Sequence, residues 1–281
     1  MRDLICRSPN FAGSYYPKDK GDLIKLLHFC FNESIFGPKK KQTLNTKIFG
    51  ILVPHGAYIY SGAISANAFH EIASQNIDTF ILIGPDHKGI GKRISVTSEE
   101  YWQTPLGDVL LDYTLINDLK KSCNIIDEDK ITHQIEHSLE IQVPFIQYSC
   151  GNSFTIVPLL LRDQDIETSV LLGNLIAKFS ARKNAIIIAS SCLTHYESNS
   201  NVQTKDCQMI KCIENLDIES FYQLIMNSNT SVCGYGAIAS LMRAVQIAGS
   251  QKGILLRYAT SGDVTSDKKN TEVGYASIAF V

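Results

Sequence analysis

The sequence predicts an α/β protein: a single domain with a mostly parallel central sheet flanked by helices. Three observations carry that prediction. Apolar runs of strand length alternate with segments of helical period along almost the whole chain. Ile48–Val53, Thr79–Ile83 and Ala185–Ala189 are continuous apolar runs, as strands buried on both faces require. Each leads into a stop carrying a histidine: Pro54-His55, Gly84-Pro85-Asp86-His87, and Ser190-Ser191-Cys192-Leu193-Thr194-His195.

Taken in order, Phe11-Ala12-Gly13-Ser14-Tyr15-Tyr16-Pro17 reads as an ordered N-terminal arm. Asp19–Phe31 places Leu23, Leu26, Leu27 and Cys30 at helical spacing. Phe36–Thr46, with its Lys39–Lys41 run, is a solvated connection to the first buried strand at Ile48–Val53. Gly62–Ser74 suits a helix, Thr79–Ile83 is the second strand, and Ile94–Thr97 is a weak one. Tyr101–Asp108 reads as a loop or hairpin tip, and Asp112–Lys121 as a helix. Glu136–Tyr148 is read as another helix despite Pro144. Phe154–Leu161 is a third apolar run, and Asp165–Phe179 is helical, its first residues acidic as the positive helix end favours. After Ala185–Ala189 come helical segments near Val202–Glu214, Ile218–Met226 and Tyr235–Ala248. Strand candidates Ile254–Ala259 and Gly274–Val281 close the chain around a polar loop, Thr260–Thr271.

Bulk composition excludes several classes. The 281 residues carry a net charge of −2, which gives no basic footprint for nucleic acid. No run is long and apolar enough to span a membrane, and Met1-Arg2-Asp3-Leu4-Ile5-Cys6 has no signal-peptide core, so a cytoplasmic protein is expected. The eight cysteines form no Cys-x-x-Cys pair and are expected as free thiols in a reducing compartment.

In open α/β sheets ligands collect beyond the carboxyl ends of the strands. Neighbouring strands would bring His55, His87 and His195 to one edge, and neutral imidazoles there suit a divalent metal. His28, His70 and His133 have no such context; His133 falls in a polar loop. Glu136-His137 is read either as a capped helix start or as part of the site, orienting a ligand imidazole. Cys233 precedes a helix, which favours its thiolate; a buried packing thiol is the alternative. No phosphate-binding glycine motif occurs.

With these motifs in order, the chain resembles the Memo family, called AmmeMemoRadiSam system protein B in microbes. The likeness rests on Pro54-His55-Gly56-Ala57-Tyr58, Gly84-Pro85-Asp86-His87 and Glu136-His137-Ser138-Leu139-Glu140. It continues through Ser190-Ser191-Cys192-Leu193-Thr194-His195-Tyr196, Cys233-Gly234-Tyr235-Gly236 and Thr260-Ser261-Gly262-Asp263-Val264, and covers nearly all of the chain. It implies a fold like that of the class III extradiol dioxygenases, which hold non-haem Fe(II) with two histidines and a carboxylate.

Carried over by motif, the resemblance implies His55, His87 and Cys233 as metal ligands and His195 as the acid/base group. Asp86, Glu136, His137 and Cys192 would line the site or orient its ligands. The implied cofactor is iron or copper, with zinc a further candidate, and the implied partner a small-molecule substrate or a peptide. Two functions follow as expectations: a redox or dioxygenase-like enzyme, or a non-catalytic interaction protein that keeps the enzyme's fold. The chain departs from the family pattern twice. Its usual Pro-His-Ala-Gly-Tyr has the middle pair swapped to Gly56-Ala57, and its Ser-Ser-Asp is Ser190-Ser191-Cys192 here.

Overall fold

The computed structural model describes residues 5–38, 44–227, 230–267 and 271–281. The Lys39–Lys41 run and residues 268–270 of the polar loop lie outside the described residues. In chain order the strands are β1 (Cys6–Arg7), β2 (Gly50–Val53), β3 (Thr79–Pro85), β4 (Ile94–Val96), β5 (Tyr101–Thr104) and β6 (Gly107–Leu111). They continue as β7 (Ile126–Glu128), β8 (Thr155–Leu161), β9 (Ala185–Ser190), β10 (His195–Glu197), β11 (Gly253–Thr260) and β12 (Glu272–Phe280).

The centre of the sheet is four parallel strands in the order β8–β3–β9–β2. Every residue of β2 and β3 is buried, which explains their lack of polar alternation. Val53 pairs beside Ser190, and Ile83 beside Ala189, so the three histidine-bearing exits leave the sheet nearly level. β12 joins β2 antiparallel, so its beginning reaches this same edge. The Tyr235–Ala248 helix packs on β2, β3 and β9 with Ile166–Ser180 beside it. Tyr58–Ile72 packs on β2, β11 and β12, with Lys20–Asn32 and Val143–Cys150 as neighbours. Among the described residues no helix is long and apolar enough to cross a membrane.

Four readings are corrected. The helix expected from Gly62 begins at Tyr58, directly after the Pro54–Ala57 turn, so the residue after the first histidine loop is already helical. Glu136–Tyr148 is not one helix. Glu136 is extended (φ −107°, ψ 129°), a 3-10 turn covers Glu140–Gln142, and the α-helix is Val143–Cys150. Pro144 sits in its first turn, where a missing N–H leaves no hydrogen bond unmade. The polar loop after Thr260 contains a short helix, Ser261–Thr265, started by a capping box between Thr260 and Asp263. His133 lies in a helix, Lys130–Ile135, capped by Asp129, and is 1% exposed.

Candidate metal centre

Two close approaches assemble the edge beyond β2, β3 and β9. Gly84 lies under the Ser138–Leu139 segment, where an added Cβ would meet Ser138 Oγ at 2.7 Å. That brings Glu136 over the β3 exit. Gly234 lies against the β9 exit, where a Cβ would meet the Ser190 carbonyl oxygen at 2.8 Å. That brings Cys233 against Cys192, although 41 residues separate them in sequence.

The imidazoles are oriented one by one. Ser190 Oγ donates to the Ser138 carbonyl (2.7 Å) and so accepts from His55 Nδ1 at 3.1 Å. This turns His55 Nε2 toward Cys233 Sγ, 3.0 Å away. His87 Nδ1 lies 2.9 Å from Glu136 Oε1, and the His87 backbone N–H donates to Glu136 Oε2. His195 Nδ1 lies 2.7 Å from the Ser231 carbonyl, so it carries the proton that is donated there. In all three rings Nδ1 is tied to an oxygen, and Nε2 is the nitrogen left for the cavity. This is the arrangement that fixes ring and tautomer for metal-binding histidines.

His137 completes the imidazole wall. Its ring stacks on His87 at 4.8 Å and lies tilted by 30° against Tyr15 at 4.4 Å, and its Nδ1 approaches Glu136 to 3.2 Å. Among the described residues two groups of three donor atoms result, the atoms of each lying within 4.8 Å of one another: His55, His87, His137 and His55, Cys192, Cys233. His55 belongs to both. The ligand set implied by resemblance, His55, His87 and Cys233, draws on both groups.

The electrostatics follow from burial and these pairings. Burial opposes charge on His87, but hydrogen bonds with Cys233 and Glu136 outweigh it and carry its pKa up to about 10. A cation taking that place would displace a proton. Burial would raise Glu136, yet His87 and His137 bring it down to about 2. Burial and the neighbouring His55 hold His137 down to about 3, so it stays neutral at pH 7. Burial also opposes ionisation of Cys233; the hydrogen bond with Cys192 and the nearby His55 and His195 prevail and lower its pKa well below the usual thiol range. Cys192 moves up, through burial and through Cys233 itself.

The donors open into a cavity of about 680 Å³. Its walls include His55, His87, Glu136, His137, Cys192, His195 and Cys233. Asp86 is the exception among the expected residues. Its carboxylate accepts the backbone N–H groups of Lys88, Gly89 and Gly91, shaping its own turn and not the cavity wall. Neither Gly56 nor Ala57 has a positive φ, so the swapped pair leaves the His55 turn unstrained.

Phe11, Tyr15, Tyr60, Ser231 and Tyr275 also line the cavity, and the sequence does not mark them as site residues. Tyr15 comes from the N-terminal arm, which the sequence does mark as aromatic and ordered. Tyr275 comes from the start of β12, and no local signal says that an antiparallel strand begins at the site.

Fold and site together define an α/β protein with a histidine- and thiol-lined donor pocket at the carboxyl edge of its parallel strands. Comparison with known proteins narrows that class. The family model for Memo-like proteins matches residues 7–279. A MEMO1 family protein of Nitrosopumilus maritimus is 38% identical over 277 residues, covering 99% of this chain and 100% of its own. A MEMO1 family protein of Methanocaldococcus jannaschii is 40% identical over 283 residues, covering 96% of this chain and 97% of its own. The chain belongs to the Memo family. Among solved structures, an uncharacterized protein from Escherichia coli K12 shares the fold, with a TM-score of 0.54 at 11% identity. That match covers 84% of this chain and 100% of the other.

Proposed function

We propose that this chain is a mononuclear metal protein acting on a small organic substrate, with iron or copper held by His55, His87 and Cys233. The observation that carries the reading is the shared orientation of the imidazoles. Each has its Nδ1 tied to an oxygen, leaving Nε2 for the pocket where the Cys233 sulfur lies. Thiolate and neutral imidazole together fit a first-row transition metal better than they fit Mg²⁺ or Ca²⁺. Such a metal, when bound, would supply a Lewis acid and a one-electron centre.

The chain's own residues supply the rest. His195, anchored through Nδ1 to the Ser231 carbonyl, keeps Nε2 to take a proton from a substrate hydroxyl. The aromatic side chains of Phe11, Tyr15, Tyr60 and Tyr275 exclude water and offer flat apolar surface to an organic ring or chain.

Elemental analysis of protein purified anaerobically without chelator tests the proposal. The wild type is expected near one metal per chain, with His55→Ala and Cys233→Ser largely empty. Equally weak binding of added Fe(II) or Cu(I) by wild type and both variants would overturn it. The competing reading, an interaction protein without turnover, is favoured by Cys192, which replaces the carboxylate of the family motif. A metabolite screen separates the two readings: a product that vanishes in His195→Ala refutes the interaction reading.

A further inference from the structure

We propose that Cys192 is itself a metal ligand. His55 Nε2, Cys192 Sγ and Cys233 Sγ then form a thiolate-rich site for a soft d10 cation, Cu(I) or Zn(II). The proposal rests on the reading of the pocket as a metal site and changes which metal it selects.

These three side chains are the group that brings both sulfurs to one imidazole. Their donor atoms lie within 4.8 Å of one another. Around a tetrahedral ion with Zn–S near 2.3 Å and Zn–N near 2.0 Å, two sulfurs sit about 3.8 Å apart, and sulfur and nitrogen about 3.5 Å apart. The pair from Cys233 Sγ to His55 Nε2 is already at 3.0 Å, so a small opening there would admit an ion.

Both sulfurs accept backbone N–H groups. His55 N donates to Cys192 Sγ at 3.5 Å, and Cys192 N donates to Cys233 Sγ at 3.3 Å. Amide donors aimed at sulfur stabilise negative charge on it. Cys192 is 2% exposed yet lines the cavity, so its sulfur faces the site and is shielded on its other sides.

The frame around the three donors is rigid as well. Ser190, through its bond to His55 Nδ1, fixes the imidazole. Ser191 Oγ accepts the Gly234 N–H at 3.0 Å and so pins the helix start that carries Cys233 to the strand end that carries Cys192. A carboxylate at position 192 would give a harder donor set suited to Fe(II). Two thiolates and one imidazole favour the softer d10 ions.

The experiment uses the full chain, reduced and metal-free, titrated anaerobically with Cu(I), Zn(II) and Fe(II), and with Co(II) as an optical probe of sulfur ligation. The wild type should rank Cu(I) and Zn(II) above Fe(II), the first two arms deciding between the d10 ions. Its Co(II) form should show a sulfur-to-metal charge-transfer band from two thiolates. In Cys192→Ser that band should fall by about half. Because partners outside the coordination sphere already cost about 10–100-fold, loss of a ligand should weaken Zn(II) or Cu(I) binding by at least about 100-fold. Cys192→Asp should lose the same half of the band while shifting the ranking toward Fe(II). Thermal melts of the metal-free variants check that both fold.

An unchanged band and unchanged Zn(II) and Cu(I) affinities in folded Cys192→Ser would overturn the proposal, while leaving the metal reading intact if Cys233→Ser still abolishes binding. A wild type that binds none of the four ions would instead sink the metal reading, and this proposal with it.

Discussion

Glu136 and Glu140 are buried carboxylates four residues apart, and they face opposite tasks. Glu140 is surrounded by donors that belong to the framework. It pairs with the fully buried Arg7 and accepts from Asn10 N (3.1 Å), Phe11 N (2.8 Å) and Tyr16 Oη (2.7 Å). It therefore straps the N-terminal arm to the segment that leads into the site. Glu136 accepts from Ser138 N at 2.8 Å, but its other partners are the His87 backbone and ring and the His137 ring. The two networks touch: Arg7 also donates to the Glu136 carbonyl at 3.1 Å and to the His133 carbonyl at 2.8 Å. The difference teaches that burial and an acidic side chain do not define a role. The partner does, and here a framework ion pair holds the backbone of the residue that aims a candidate ligand.

Removing Glu140 should break the comparison most strongly. Glu140→Ala leaves Arg7 buried without its counter-charge, and breaking such a pair costs about 3–5 kcal/mol. Denaturant unfolding of the metal-free protein should show that loss as a lower midpoint at unchanged slope. Adding Arg7→Leu should recover part of it, because the stranded charge is gone. If Glu140→Ala alone is nearly neutral, the strap is not a stability element.

His133 belongs to the framework side and offers a pH test. Burial, reinforced by Arg7, holds its pKa down to about 4 against the pull of its Ser95 carbonyl partner. Above pH 6.5 the ring is neutral in folded and unfolded chains alike and contributes no slope. Between 6.5 and about 4 the unfolded chain binds the extra proton, so stability falls as pH falls, by about 3 kcal/mol in total. His137, held down to about 3, adds a loss of the same sign in that window. The informative quantity is therefore the difference between wild type and His133→Gln. The variant should lose less stability between pH 7 and pH 4.5; parallel curves would remove His133 from the account.

The same contrast explains what could be read from the chain. The central strands were legible because strands buried on both faces leave continuous apolar runs, and their histidine-bearing exits followed from Pro54, Gly84-Pro85 and Ser190. Helical period in Glu136–Tyr148 was real from Val143 onward, but it hid the extended Glu136. That residue's conformation is set by a carboxylate reaching His87, 49 residues away in sequence. Asp86 looked like a site residue from its position beside His87, whereas three backbone N–H groups of its own turn use its oxygens. Tyr275 and the contact between Cys192 and Cys233 depend on strand direction and on packing at Gly234, neither of which local pattern encodes.

The smallest of these effects bears most directly on the site. In Glu136→Gln the backbone bond from Arg7 and the buried volume are kept, so folding stability should change far less than in Glu140→Ala. The amide, however, presents one acceptor oxygen where the carboxylate presents two, and His87 now has one partner for both its backbone N–H and its Nδ1–H. The imidazole loses the negative charge that fixes its tautomer and strengthens its Nε2 as a donor. Loss of a comparable orienting carboxylate elsewhere costs about 10–100-fold in metal affinity, or about 1.4–2.7 kcal/mol. Competition against a coloured chelator measures this directly. A selective loss of metal affinity with near-normal unfolding would place Glu136 on the functional side of the pair. Equal losses in both measurements would make Glu136 a second Glu140.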